Sequence, residues 1–146
     1  MKRFIIIAFI LILSVSLFGC GASEKEISDL SVLKDGANQY DLTFEEIADI
    51  VDEYIELKHP IKSKFTYGRG DESYLEELEE ITKNQELKDL PEWNAIQIYC
   101  TQYSSANVAG AENLELDDDN LLPEFTDRTV NEYVNEVIGG KPEDLL

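Results

Sequence analysis

The chain is 146 residues long, enough for one domain, and its 43% hydrophobic residues allow a modest core. Asp and Glu number 31 against 12 Lys and Arg, a net charge of −19, which excludes a protein built to neutralise a nucleic-acid backbone. Two cysteines in the whole chain exclude a disulfide-built miniprotein.

Residues 1–19 read as a targeting segment. Met1-Lys2-Arg3 is a short positive start, and Phe4 to Phe18 is an apolar run interrupted only by Ser14 and Ser16. A membrane-spanning helix needs ~20 apolar residues. This run is shorter and ends in the small residues around Gly19-Cys20-Gly21-Ala22, so a cleaved signal peptide is expected. Its end, Leu17-Phe18-Gly19-Cys20, resembles the lipobox of bacterial lipoproteins. The resemblance implies cleavage between Gly19 and Cys20 and a diacylglyceryl thioether on Cys20, whose amine is often acylated as well in that class. Phe18 stands where that class usually has Ala, Ser or Thr. Ordinary secretory cleavage, for example after Ala22, is the competing reading of the same residues. Two acyl chains hold a protein stably on a bilayer, whereas one is marginal. The expected location is therefore the extracytoplasmic face of a cell membrane, with the lipid on Cys20 as the membrane partner.

Residues 20–39 are polar with a weak apolar pattern and read as the lipidated N-terminus and a tether. An acidic helical domain is expected over 40–140, and 141–146 as a C-terminal tail. The first helix starts at Thr43, where Thr43-Phe44-Glu45-Glu46 forms a capping box and Leu42 and Ile47 are placed as a staple. Phe44, Ile47, Ala48, Val51, Tyr54 and Ile55 recur at helical spacing, and Pro60 ends the helix near Lys58. A second helix is expected from Ser73, with Ser73-Tyr74-Leu75-Glu76 as its capping box and Leu75, Leu78 and Ile81 as its stripe. Pro91 can open a third, on which Trp93, Ile96, Cys100 and Tyr103 share a face. Ile96 to Thr101 would also suit a strand, but the spacing favours helix. The last helix is expected from a Thr126 cap, with Tyr133, Val134, Val137 and Ile138 on one face and Gly139-Gly140 as the stop. The fold class is thus all-α, a small domain of three to five helices.

Few residues suit catalysis, and no catalytic residue, cofactor or metal site is assigned. His59 is the single imidazole and lies at a helix C-terminus, where its cationic form suits the helix dipole. Cys100 has apolar or neutral neighbours and reads as a core residue rather than a nucleophile. A cell-wall hydrolase needs only two carboxylates, yet no spacing among 31 acids selects a pair. Gly68-Arg69-Gly70-Asp71 reads as a turn between helices rather than an adhesion motif.

Charge placement carries more. Between Asp89 and Asp127 no Lys or Arg occurs, and Asp117-Asp118-Asp119 lies in that stretch. These acids lack the alternating ligands of an EF-hand. From Leu57 to Gly70 there is no acid, but Lys58, Lys62, Lys64 and Arg69 occur, interleaved with Phe65 and Tyr67. Two uses of this polarity stand side by side. The basic loop can form ion pairs with the chain's own acidic helices. Alternatively, the acidic stretch draws in a basic protein, or the basic loop meets phosphate groups of lipid or wall polymer. The function expected is a non-enzymatic interaction module, for instance an immunity or exclusion factor. A solute, cation or envelope-polymer binder and a cell-wall hydrolase are the alternatives.

Overall fold

The computed structural model describes residues 25–60, 69, 71–113 (side chains as far as Ser105) and 127–146. Leu17–Cys20, Lys62, Lys64 and Asp117–Asp119 lie outside the described residues. The architecture is a small all-α domain with no strand among the described residues. Among the described residues the α-helices are α1 (Phe44–Lys58), α2 (Glu72–Asn84), α3 (Trp93–Asn113) and α4 (Val130–Tyr133).

Helix α1 starts as its sequence dictates. The Thr43 hydroxyl accepts from the Glu46 amide at 3.2 Å, and the Glu46 carboxylate accepts from the Thr43 amide at 2.9 Å. Both bonds satisfy amides that the first turn leaves without helical partners. Phe44, Ile47, Ala48, Ile50, Val51, Tyr54 and Ile55 are buried along it. At its end the His59 amide donates to the Ile55 carbonyl at 2.9 Å, and Pro60 follows.

Helix α2 begins earlier than the Ser73 box predicted. Asp71 is the cap residue, and its carbonyl accepts from the amides of Tyr74 and Leu75 at 3.0 and 3.2 Å. The Asp71 side chain makes no cap bond; the turn closes through its carbonyl, which leaves Ser73 inside the first turn. The helix stops at Gln85, whose φ of 52° is left-handed, while the Glu86 amide reaches back to the Ile81 carbonyl at 3.1 Å. Glycine usually takes that position because it has no Cβ to crowd the carbonyl.

Helix α3 is a helix and not the alternative strand. Ala95, Ile96, Ile98, Tyr99, Cys100 and Tyr103 are all buried, so more than one of its faces is covered. It packs against α1, α2 and α4 and against the turns Gln39–Asp41 and Pro142–Leu145. A helix covered on several sides has no clean apolar stripe, which is why strand and helix competed in its sequence.

Helix α4 is capped at Thr129, not Thr126. The Thr129 hydroxyl accepts from the Glu132 amide at 3.2 Å, and the Glu132 carboxylate accepts from the Thr129 amide at 3.1 Å. A π turn, Val134–Ile138, continues it and closes at Gly139, whose φ of 82° suits a residue without Cβ. The wider π turn breaks the 3.6-residue spacing. Val137 and Ile138 therefore stand 57% and 40% exposed instead of joining Val134 in the core.

The cap residues of α1 and α4 lie side by side in an antiparallel bridge between Thr43 and Thr129. The Phe44 amide donates to the Arg128 carbonyl and the Val130 amide to the Leu42 carbonyl, both at 3.1 Å. Phe44 and Tyr133 meet edge to face behind it, with centroids 5.2 Å apart.

The stretch read as a tether belongs largely to this fold. Leu30 in the 3-10 turn Ile27–Leu30 and Tyr40 in the turn Gln39–Asp41 are both buried. The cause is a long-range anchor, Glu92, just before α3. One of its oxygens accepts from the Ser31 hydroxyl at 2.8 Å and from the amides of Val32 and Leu33 at 2.9 and 2.7 Å. The Gln39 side chain likewise accepts from the Ala95 amide at 3.1 Å.

Candidate functional site

Three acids of α1, Glu45, Asp49 and Asp52, follow one another at i, i+4 and i+7. That spacing puts them on one face. Arg69 lies across all three. Its Nε donates to Asp52 at 2.9 Å, one terminal nitrogen reaches both oxygens of Glu45 at 2.9 Å, and the other reaches Asp49 at 3.0 Å. Burial pulls the guanidinium pKa down, but Asp52 and Glu45 outweigh it and hold Arg69 above its ordinary range. Burial also raises the Asp52 carboxyl, and Arg69 opposes that rise only in part.

Behind this triad runs a buried chain of hydroxyls. The Tyr74 hydroxyl donates to the second oxygen of Asp52 at 2.9 Å and lies 2.9 Å from the Tyr99 hydroxyl. The Tyr103 ring packs on both tyrosines, with centroids 5.6 and 5.4 Å away. Burial pushes the Tyr74 and Tyr99 phenols well above their ordinary range and Tyr103 up to about 12.

Lys58 organises a second set. Its ammonium binds Glu77 and Glu80 at 2.9 Å and Glu86 at 3.3 Å. His59 Nε2 lies 2.7 Å from the other oxygen of Glu77, and the Tyr54 hydroxyl donates to Glu86 at 3.1 Å. Partial burial draws the Lys58 pKa down, but the three carboxylates outweigh it and hold it above its usual value. His59 thus sits at the helix end expected for it, with Glu77 as a further partner.

An adjoining face of α2 is different. A groove of about 330 Å³ runs between α2 and α3, floored by Leu75, Leu78 and the buried Cys100, with Thr101 and Ser104 on its far wall. Its α2 rim carries Glu72, Glu76 and Glu79, again at i, i+4 and i+7. All three are exposed, and none forms an ion pair among the described residues. Burial pushes the Cys100 thiol up to about 12, so it contributes packing to the floor and not a thiolate.

Of the residues singled out from sequence, Lys58 and Arg69 are brought against acidic helices and are engaged there. Lys62, Lys64, Asp117, Asp118 and Asp119 lie outside the described residues. The groove acids were read only as the wet side of a helix. Their i, i+4, i+7 spacing was the available signal, but nothing local shows that a groove lies beside them. Among the described residues no helix is long and apolar enough to cross a membrane. Comparison with protein-family models, with curated proteins and with solved structures returns no match to this chain.

Proposed function

We propose that the protein is a lipid-anchored, extracytoplasmic bacterial lipoprotein whose helical domain captures a basic protein partner without catalysing a reaction. The observation that carries the reading is how the chain allots its cations. Lys58 and Arg69 are each engaged by three carboxylates of the chain itself, while the Glu72, Glu76 and Glu79 rim is left open to solvent. The basic loop therefore supports the fold through its described cations, and the recognition surface is the acidic one. An immunity or exclusion factor that intercepts an incoming basic protein fits this design.

The anchor reading gains a distance. Lys25 is bonded to Glu53 on α1, so only residues 21–24 separate it from Cys20. Extended chain covers at most ~3.6 Å per residue, which keeps the domain within roughly 18 Å of a lipid on Cys20. Anionic headgroups repel so acidic a domain, which favours its open acidic faces pointing away from the bilayer.

Two experiments test this reading. Labelling the producing cell with an alkyne fatty acid should tag the wild-type chain and not a Cys20→Ala variant. Label retained in the variant overturns the anchor. For capture, the full chain in detergent is immobilised and offered envelope extract at low salt. A basic protein eluted by a salt step supports the reading, and no basic protein in that eluate overturns it.

A further inference from the structure

Resting on the acidic-capture reading, we infer that the α2/α3 groove is the docking site, and that its occupant is a basic amphipathic segment presenting arginines one helical turn apart beside apolar side chains.

The argument starts from repetition within the molecule. Glu45, Asp49 and Asp52 on α1 and Glu72, Glu76 and Glu79 on α2 have the same i, i+4, i+7 spacing. The first triad shows what such a face takes up: one guanidinium, bound to all three acids at 2.8 to 3.0 Å. Guanidinium suits this arrangement because its planar fork can reach several carboxylates at once. The second triad offers the same chemistry with no cation of the described chain in place. Like charges at i, i+4 repel one another on a helix, so an incoming cation gains from relieving that repulsion as well as from its own pairing.

The groove beside the triad selects the rest of the segment. Leu75, Leu78 and Cys100 form its floor. Two of the three groove hydroxyls, those of Thr82 and Ser104, are already bonded to backbone carbonyls. Thr82 donates to the carbonyls of Leu78 and Glu79 at 3.0 and 2.9 Å, and Ser104 to that of Cys100 at 2.9 Å. The floor thus asks for apolar side chains, and the rim for cations. From Glu72 to Thr82 the groove runs ~15 Å, about three turns of a docked helix.

The test uses a synthetic helical peptide of ~12 residues, arginines a turn apart and leucines on the adjoining face, titrated into the full chain in detergent. The wild-type chain binds it. Reversal of the rim, E72K/E76K/E79K, weakens binding ~10-fold or more, given three exposed ion pairs lost. Thr101→Trp fills the groove without changing charge and has an effect of similar size. The control D35K/D89K/E143K changes net charge equally at exposed sites elsewhere and leaves binding within about threefold. Circular dichroism of each variant checks that the helices are intact.

No binding by the wild-type chain, or equal loss in rim and control variants, overturns the groove. The parent reading is separated by the capture experiment. If the rim and Thr101→Trp variants still capture a basic protein from envelope extract, the groove fails and acidic capture stands elsewhere on the chain. If the wild-type chain captures none, acidic capture fails whatever the peptide does.

Discussion

Helices α1 and α2 each carry three carboxylates at i, i+4 and i+7, and the fold treats the two sets in opposite ways. On α1, Arg69 binds all three, and the Asp52 member continues inward to the hydroxyls of Tyr74 and Tyr99. On α2, the set lies along the lip of a groove and faces solvent. Composition and spacing do not distinguish them. The difference is whether the chain returns a cation to the face. It teaches that an acidic face becomes a structural element when its charge is neutralised internally, and that it stays open to a partner, as proposed above, when it is not.

The largest perturbation strikes both regions alike. Cys100 under the open groove and Tyr103 beside the hydroxyl chain both have pKa values raised to about 12, from 9.0 and 10.0 respectively. A raised folded pKa means the folded state holds its proton more tightly. Stability is then complete below the unfolded values and is lost as pH rises through about 12. Base should therefore unfold the protein cooperatively, with the phenolates of Tyr74, Tyr99 and Tyr103 forming only as the helical signal is lost. More than four of the seven tyrosines ionised while the helices persist would contradict the burial of these three.

Removing the cation from the occupied triad should come next. Arg69→Met strands the half-buried Asp52 and should cost ~2–3 kcal/mol, seen as a lower urea midpoint at neutral pH. Without Arg69, burial and the Asp49 charge are opposed only by the Tyr74 hydrogen bond, and the Asp52 carboxyl rises further. That rise favours the protonated fold, so the deficit should shrink as pH falls toward ~4. A deficit independent of pH would mean that Arg69 stabilises by packing rather than by charge.

Glu92→Ala removes a third kind of carboxylate, one held by the backbone. It should cost ~1–2 kcal/mol and accelerate hydrogen exchange at the Val32 and Leu33 amides. Unchanged exchange at those amides would sink the latch. The smallest effect carries the opposite sign. E76Q/E79Q, which spares the first-turn Glu72 that the helix dipole favours, relieves repulsion with no ion pair to lose, so stability should stay level or rise by ~0.5 kcal/mol. A marked loss on thermal melting would show that the open triad is structural too, and the contrast between the helices would collapse.

Part of this was legible in the chain before folding. The α1 start, its buried positions and its end at Lys58 follow from residues within one or two turns, where capping and periodicity are decided. The α4 start was equally local. Thr129-Val130-Asn131-Glu132 repeats the capping-box pattern of Thr43, and the competing Thr126 with its Phe125 staple obscured it. The π turn was not legible, since no residue pattern in Val134–Ile138 signals it and it moves Val137 and Ile138 out of the core.

The sequence by itself determined an acidic all-α domain, because composition, caps and helical spacing act over short separations. The tertiary structure alone decided which acids are neutralised. Arg69 meets Glu45 across 24 positions, Lys58 meets Glu86 across 28, and Glu92 holds Leu33 across 59. It likewise decided that the supposed tether packs on the helices and that a groove opens beside Glu72, Glu76 and Glu79. Such pairings depend on how helices cross, and no local spacing encodes that crossing when the central helix is apolar on several sides.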